Sequence, residues 1–171
     1  MQTWDAIRSR RDVREFSDRP IAPEHLDRIC EAGRRAPSSQ NRQPWDFVVV
    51  TDRAHLTELA TVWRGAGHVA TSAATVALVA PVPRTERERE QGQYDLGQAT
   101  MSMMLAAADL GIGSGHAAVG DQARAGELLG LPPGRFCAYL VAFGHPAGRS
   151  LAPIRRPDRR PFEDVVHPDH W

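Results

Sequence analysis

Residues 94–110 read YDLGQATMSMMLAAADL, a run of helix formers uninterrupted by proline. Its apolar positions, Leu96, Ala99, Met103, Ala107 and Leu110 among them, fall on almost every face of a helix rather than on one stripe. A helix that is apolar all round is buried. A chain of 171 residues builds one modest core, too little to surround such a helix alone. The stretch therefore predicts a central helix enclosed with the help of a second copy of the chain.

Working outward, GIGSGHA at 111–117 breaks this helix as a glycine-rich loop, and RTEREREQGQ at 84–93 has no apolar periodicity and reads as a solvated loop or a helix start. DFVVVT (46–51), TVALVA (75–80) and RFCAYLVAF (135–143) are short apolar runs rich in β-branched or aromatic residues, hence buried strands. Helices are expected over residues 3–10, over 23–35 with proline at the start, over 54–62, and over 122–129 ended by Gly130. Residues 146–171 have no core pattern and read as an extended arm. The elements do not alternate as βαβ units and nothing repeats, so the expected class is α+β in a single domain, 1–171.

Lys+Arg and Asp+Glu number 21 each, so no field of one sign draws in nucleic acid or an anionic membrane. Every basic residue is arginine, which excludes Schiff-base, pyridoxal and P-loop lysine chemistry. Cys30 and Cys137 form neither a disulfide framework nor a zinc spacing, which fits a reducing cytoplasm. No apolar run reaches the ~20 residues that span a bilayer. His167 and His170 lack a third ligand and a fixing helix, so no metal site is expected. Trp45 reads as core and Trp171 as a contact between copies.

Four segments are polar or glycine-rich where a fold alone does not require it: SRRDVREF (9–16), APSSQNRQPW (36–45), LGIGSGHAA (110–118) and PIRRPDRRPFEDVVH (153–167). Arginine forks suit phosphate because they give paired charge-assisted hydrogen bonds. Taken alone, the same arginines are equally a solvated helix end and a solvated tail. RRDVREF, then RAPSSQNRQPWDFVVV, LGIGSG and RRPFEDVVH, in that order over almost the whole chain, resemble the nitroreductase family of FMN-dependent oxidoreductases.

The resemblance implies a three-layer α-β-α fold with a mixed central sheet flanked by helices. It implies a homodimer in which the 146–171 arm is swapped onto the partner and two FMN sites lie at the interface. By position, Arg10, Arg11 and Asp12 match residues near the phosphate and ribityl chain, and Arg14 matches the basic residue near the ring's N1 and O2. Pro37, Ser38, Ser39 and Asn41 match a loop reaching the flavin from the other subunit. The backbone of Gly113, Ser114 and Gly115 matches the groups facing N5 and O4, and either Arg159 or Arg160 matches a second phosphate clamp. Gln93 and Gln98 stand where some relatives place an amide against the ribityl chain or ring, and an exposed amide in a first helical turn is the alternative. His116 lies either near the flavin or against backbone at a strand start.

The implied activity is hydride transfer from NAD(P)H through FMN N5 to an electron-poor small molecule such as a quinone, nitroaromatic or activated alkene. No side chain is assigned a catalytic role, because the cofactor itself accepts the hydride. Two alternatives stand beside it. Asp12 also matches the RRDVR of 5,6-dimethylbenzimidazole synthases, which fragment reduced FMN, and a flavin-binding dimer without turnover fits the same motifs.

Overall fold

The computed structural model describes residues 1–171. Four strands, β1 (Asp46–Val50), β2 (Ala74–Pro81), β3 (Gly113–Ala118) and β4 (Arg135–Gly144), form one sheet in the order β1-β2-β4-β3. Helices α1 (Thr3–Ser9), α2 (Pro23–Arg34), α3 (Arg53–Leu59), α4 (Glu86–Asp109) and α5 (Gln122–Leu129) complete it. The class is α+β. Within the chain the sheet is antiparallel throughout rather than mixed, and the one parallel pairing is an isolated bridge between Asp12 and Ser114.

Side chains alternate across the two central strands and make two cores. Val76 and Leu78 of β2 with Val141 and Phe143 of β4 face α2 and α4, meeting Ile29, Leu96, Ala99 and Met103. Ala77 of β2 with Leu140 and Ala142 of β4 face the other way, onto Leu56, Leu59, Val62, Val69 and Ala125. The result is the expected three layers. Each buried large aliphatic side chain contributes about 2 kcal/mol of transfer free energy, so the two cores hold the sheet rigidly between its helices.

The glycine-rich stretch expected as a loop is instead β3, because the outer side of β4 needs a strand to satisfy its backbone. The charged run before Tyr94 is helix, so α4 begins eight residues before the apolar stretch. Thr85 caps it by accepting from the Glu88 N–H at 3.1 Å, and Arg84–Glu88 and Arg89–Glu86 pairs line the first turns. Within its own chain α4 is not fully enclosed: Leu96, Ala99, Met103 and Ala107 are buried, whereas Tyr94, Gly97 and Met101 form an open stripe. Trp4 and Ile7 of α1 are exposed as well, as are Phe162 and Trp171 of the arm.

Residues 155–171 are exposed throughout, with a single 3-10 turn at Phe162–Asp164. Trp45 is buried and stacks on Phe47. Both cysteines are free, and burial pushes the Cys137 thiol up to about 12. No helix is long and apolar enough to cross a membrane.

Candidate functional site

After α1 the chain runs extended along the outer side of β3 and the turn after β4. Val13 N–H donates to Ser114 O at 2.8 Å, Ser17 N–H to His145 O at 2.8 Å, and Ala147 N–H to Glu15 O at 3.0 Å. Val13 and Phe16 point into the core, which turns Asp12 and Arg14 outward. The close approach depends on glycine. A Cβ at Gly115 would enter the Val13 carbonyl oxygen and lie 3.3 Å from the His68 ring, and one at Gly113 would crowd the Val13 side chain at 2.8 Å.

The arginines here have different engagements. Arg10 Nη1 lies 3.3 Å from Asp12 Oδ1, and His116 Nδ1 lies 3.7 Å from Asp12 Oδ2. Arg11 donates to the carbonyl oxygens of Arg149 and Ser150, fastening the start of the arm to this segment, and Ile154 N–H donates to Arg8 O beside it. Burial first and the neighbouring Arg149 charge second hold the Arg11 guanidinium below its ordinary value. Arg14 has neither an ion pair nor a side-chain hydrogen bond, and Ser114 is buried in β3. Beyond Ser114 the outer edge of β3 carries no further bridge.

His68, on the 3-10 turn Gly67–Val69, is buried behind this edge, its Nε2 3.3 Å from Gly115 O. Burial and the Arg14 charge lower its pKa, outweighing the carbonyls of Gly115 and Gly65 and the Asp12 carboxylate, which raise it. A histidine held neutral in the fold is protonated more readily when unfolded. Its contribution to stability is therefore intact above its unfolded value of 6.5 and is lost as the pH falls below it. The urea midpoint of the wild type is expected to drop between about pH 7 and about pH 5, and the drop to be smaller in His68→Gln. An equal drop in both would remove His68 as its source.

The second group of predicted residues gathers on α4. Asp95, 2% exposed, accepts from Ser39 N–H with both oxygens (3.0 and 3.1 Å) and from Ser39 Oγ at 3.3 Å, and no cation pairs with it. Gln98 Nε2 donates to Pro37 O at 3.5 Å, and Ser38 Oγ accepts from Gln43 N–H at 2.9 Å. These bonds fix a loop in which Gln40, Asn41 and Gln43 have φ of 54°, 53° and 49°. Each such non-glycine residue costs about 1–2 kcal/mol, and conformations of this kind persist where the surroundings over-determine them, as at binding sites. A cleft of about 750 Å³ borders the loop, lined by Leu96, Val82 and Phe136 and by Arg42, Arg84 and Arg89. Gln93 lines the same cleft.

The predicted residues thus form two groups, Arg10–Arg14 with Gly113–Gly115, and Pro37–Asn41 with Gln98, and no hydrogen bond or ion pair joins them. Arg159 and Arg160 meet neither, donating to the local carbonyls of Asp158 and Asp164. Asp95 and His68 escaped the sequence reading. A carboxylate set within the apolar run that begins at Tyr94 was the available signal for Asp95, whereas the sequence around His68 offered none.

The family profile described as Nitroreductase matches residues 7–81 and 63–145. An Archaeoglobus fulgidus protein provisionally named NADH dehydrogenase/NAD(P)H nitroreductase is 31% identical over 169 residues, 96% of each chain. The Bacillus subtilis FMN reductase [NAD(P)H] is 28% identical, over 97% of this chain and 73% of its own. Among solved structures, the Vibrio harveyi NADPH:FMN oxidoreductase complexed with NAD+ superposes with a TM-score of 0.82 at 27% identity, covering 97% of this chain and 76% of that one. The profile takes in the N-terminal arginines, the strained loop and β3, and the archaeal relative matches over nearly the whole of both chains: the chain belongs to the nitroreductase family.

Proposed function

We propose that the chain is an FMN-dependent NAD(P)H oxidoreductase acting as a homodimer. Each of its two flavin sites takes the N-terminal cradle of one copy and the 37–44 loop of the other. The observation that carries the reading is the pair of half-sites: each is built for a polar ligand, and one chain does not join them. The open stripe of Tyr94, Gly97 and Met101 on α4, beside exposed Trp4 and Ile7 on α1, gives the second copy an apolar surface to cover.

The donors suit the cofactor. Arg14, without an anionic partner, and Arg10 supply positive charge, the outer edge of β3 supplies backbone N–H groups, and Ser38, Ser39 and Asn41 supply hydroxyls and an amide. The closeness that glycine allows at 115 lets this backbone edge and the arginines serve one ligand. Bound FMN supplies two-electron exchange between a nicotinamide reductant and an acceptor. Arg14 would hold negative charge at the ring's edge, while Arg10 would hold the phosphate end beside the arm that Arg11 fastens. One of Arg159 and Arg160, on an arm crossing to the partner, adds a second cation there. The apolar and arginine side chains lining the cleft beside Ser39 suit a flat electron-poor acceptor such as a quinone, nitroaromatic or activated alkene.

The test is the visible spectrum of the purified protein. Bound oxidised flavin, bleached anaerobically by NADH or NADPH, with a dimer by light scattering, is the expected result. Colourless protein that binds no added FMN and oxidises neither nucleotide ends the reading. Asp12, within the RRDVR stretch, favours a second reading, fragmentation of reduced FMN, and aerobic incubation with reduced FMN followed by chromatography for a benzimidazole tests it.

A further inference from the structure

The N-terminal turn carries a carboxylate in the middle of its cations. Arg11 is engaged by the arm's carbonyls, which leaves Arg10 and Arg14 to face a ligand, and Asp12 leans on Arg10. On the far side of Asp12 stands His116, half-exposed at 51%, its Nδ1 3.7 Å from Asp12 Oδ2. Its register partner on β4 is Val141, which carries no charge. Asp12 in turn pairs with Arg10, and His68, which packs on Gly115 of the same strand, is held toward its neutral form. With His116 neutral, Asp12 cancels one of the two available arginines. With His116 protonated, Asp12 is neutralised from its other side and Arg10 acts in full on the phosphate of the ligand.

We infer that Asp12 and His116 form a proton-operated control on the anion affinity of the cradle. Affinity for the phosphate of a flavin mononucleotide rises when His116 takes up a proton and falls when it loses one. The inference rests on the cofactor reading above and adds the conditions under which the cofactor is held. Only a proton is exchanged, between solvent and the imidazole, and no bond to the ligand is made or broken.

FMN and riboflavin, which differ by the phosphate, are titrated by flavin fluorescence into wild type, His116→Gln and Asp12→Asn. The titrations are run at about pH 8 and about pH 5, the two ends of the range in which histidine titrates. Comparing proteins at one pH cancels the second ionisation of the phosphate itself, near pH 6. The ratio of wild-type to His116→Gln affinity for FMN is expected to climb about tenfold from the higher to the lower pH, the order expected for one partly screened charge at short range. Asp12→Asn is expected to bind FMN about tenfold tighter than wild type at the higher pH, with that advantage gone at the lower. Riboflavin should be indifferent to both substitutions. A flat ratio, or riboflavin shifting in step with FMN, overturns the inference and leaves the cofactor reading standing. Wild type that binds no FMN at either pH overturns both.

Discussion

Gly115→Ala is expected to purify without flavin and to melt about 6 °C below wild type. The added methyl has nowhere to go: its neighbours are the backbone oxygen of Val13 and the buried His68 ring, not the free end of a flexible side chain. Relief requires moving the 12–14 segment off β3, which loosens the Val13 N–H to Ser114 O bond and carries Arg10, Asp12 and Arg14 away from the edge they share. Overpacking of this kind costs about 2 kcal/mol. In a chain of this length that corresponds to about 3 °C for each kcal/mol. Gly126→Ala is the control: a Cβ there meets nothing within 4 Å, and in the interior of α5 it should stabilise by about 0.5–1 kcal/mol. Flavin absorbance per chain and thermal melting of both variants are the measurements. A Gly115→Ala protein that keeps both its flavin and its melting temperature would mean that the segment does not pack on β3 as described.

Asp95→Ala should separate cofactor affinity from stability. The carboxylate is buried without a counter-ion, so removing it relieves a desolvation cost that offsets most of the hydrogen bonding lost, and the apoprotein should melt within about 3 °C of wild type. The loop loses more. Without Asp95, Ser39 has no anchor and the strained residues Gln40, Asn41 and Gln43 relax toward ordinary conformations. Re-ordering them on binding costs about 2 kcal/mol, a loss of about 30-fold in FMN affinity. Asp95→Asn keeps one oxygen toward the Ser39 N–H and should stay within about fivefold of wild type. Fluorescence titration and melting curves on the three proteins decide the matter. Unchanged FMN affinity in Asp95→Ala sinks the role given to this residue.

The buried strands were legible because their apolar runs are long and sit between turn residues, and β1, β2 and β4 lie within a residue or two of where the sequence puts them. The start of α4 was hidden for a physical reason: its first two turns are held by a cap and ion pairs rather than by burial, so apolar periodicity is silent there. Thr85 followed by Glu88 was the readable sign. β3 was hidden because tertiary need overrode local preference: Gly113 and Gly115 favour a loop by themselves, and the free side of β4 recruits them as a strand. The residues near the cradle and in the loop came from the resemblance, whereas Asp95, His68 and the Arg11 clasp on the arm depend on contacts across 56, 47 and 138 residues of chain. No local pattern encodes such separations.

Asp95 and Asp109 stand on one unbroken helix, and at 1.5 Å per residue they are about 21 Å apart along it. The first fixes the strained loop, while the second meets Arg28 at 2.7 Å and so ties the other end to α2. α4 is therefore a gauge rod. One residue inserted between its ends would swing one end by about 100° against the other, whereas a seven-residue insertion would nearly restore the angle and lengthen the rod by about 10 Å. Only the outward positions of the rod are free to vary, because its length is set by the two contacts at its ends.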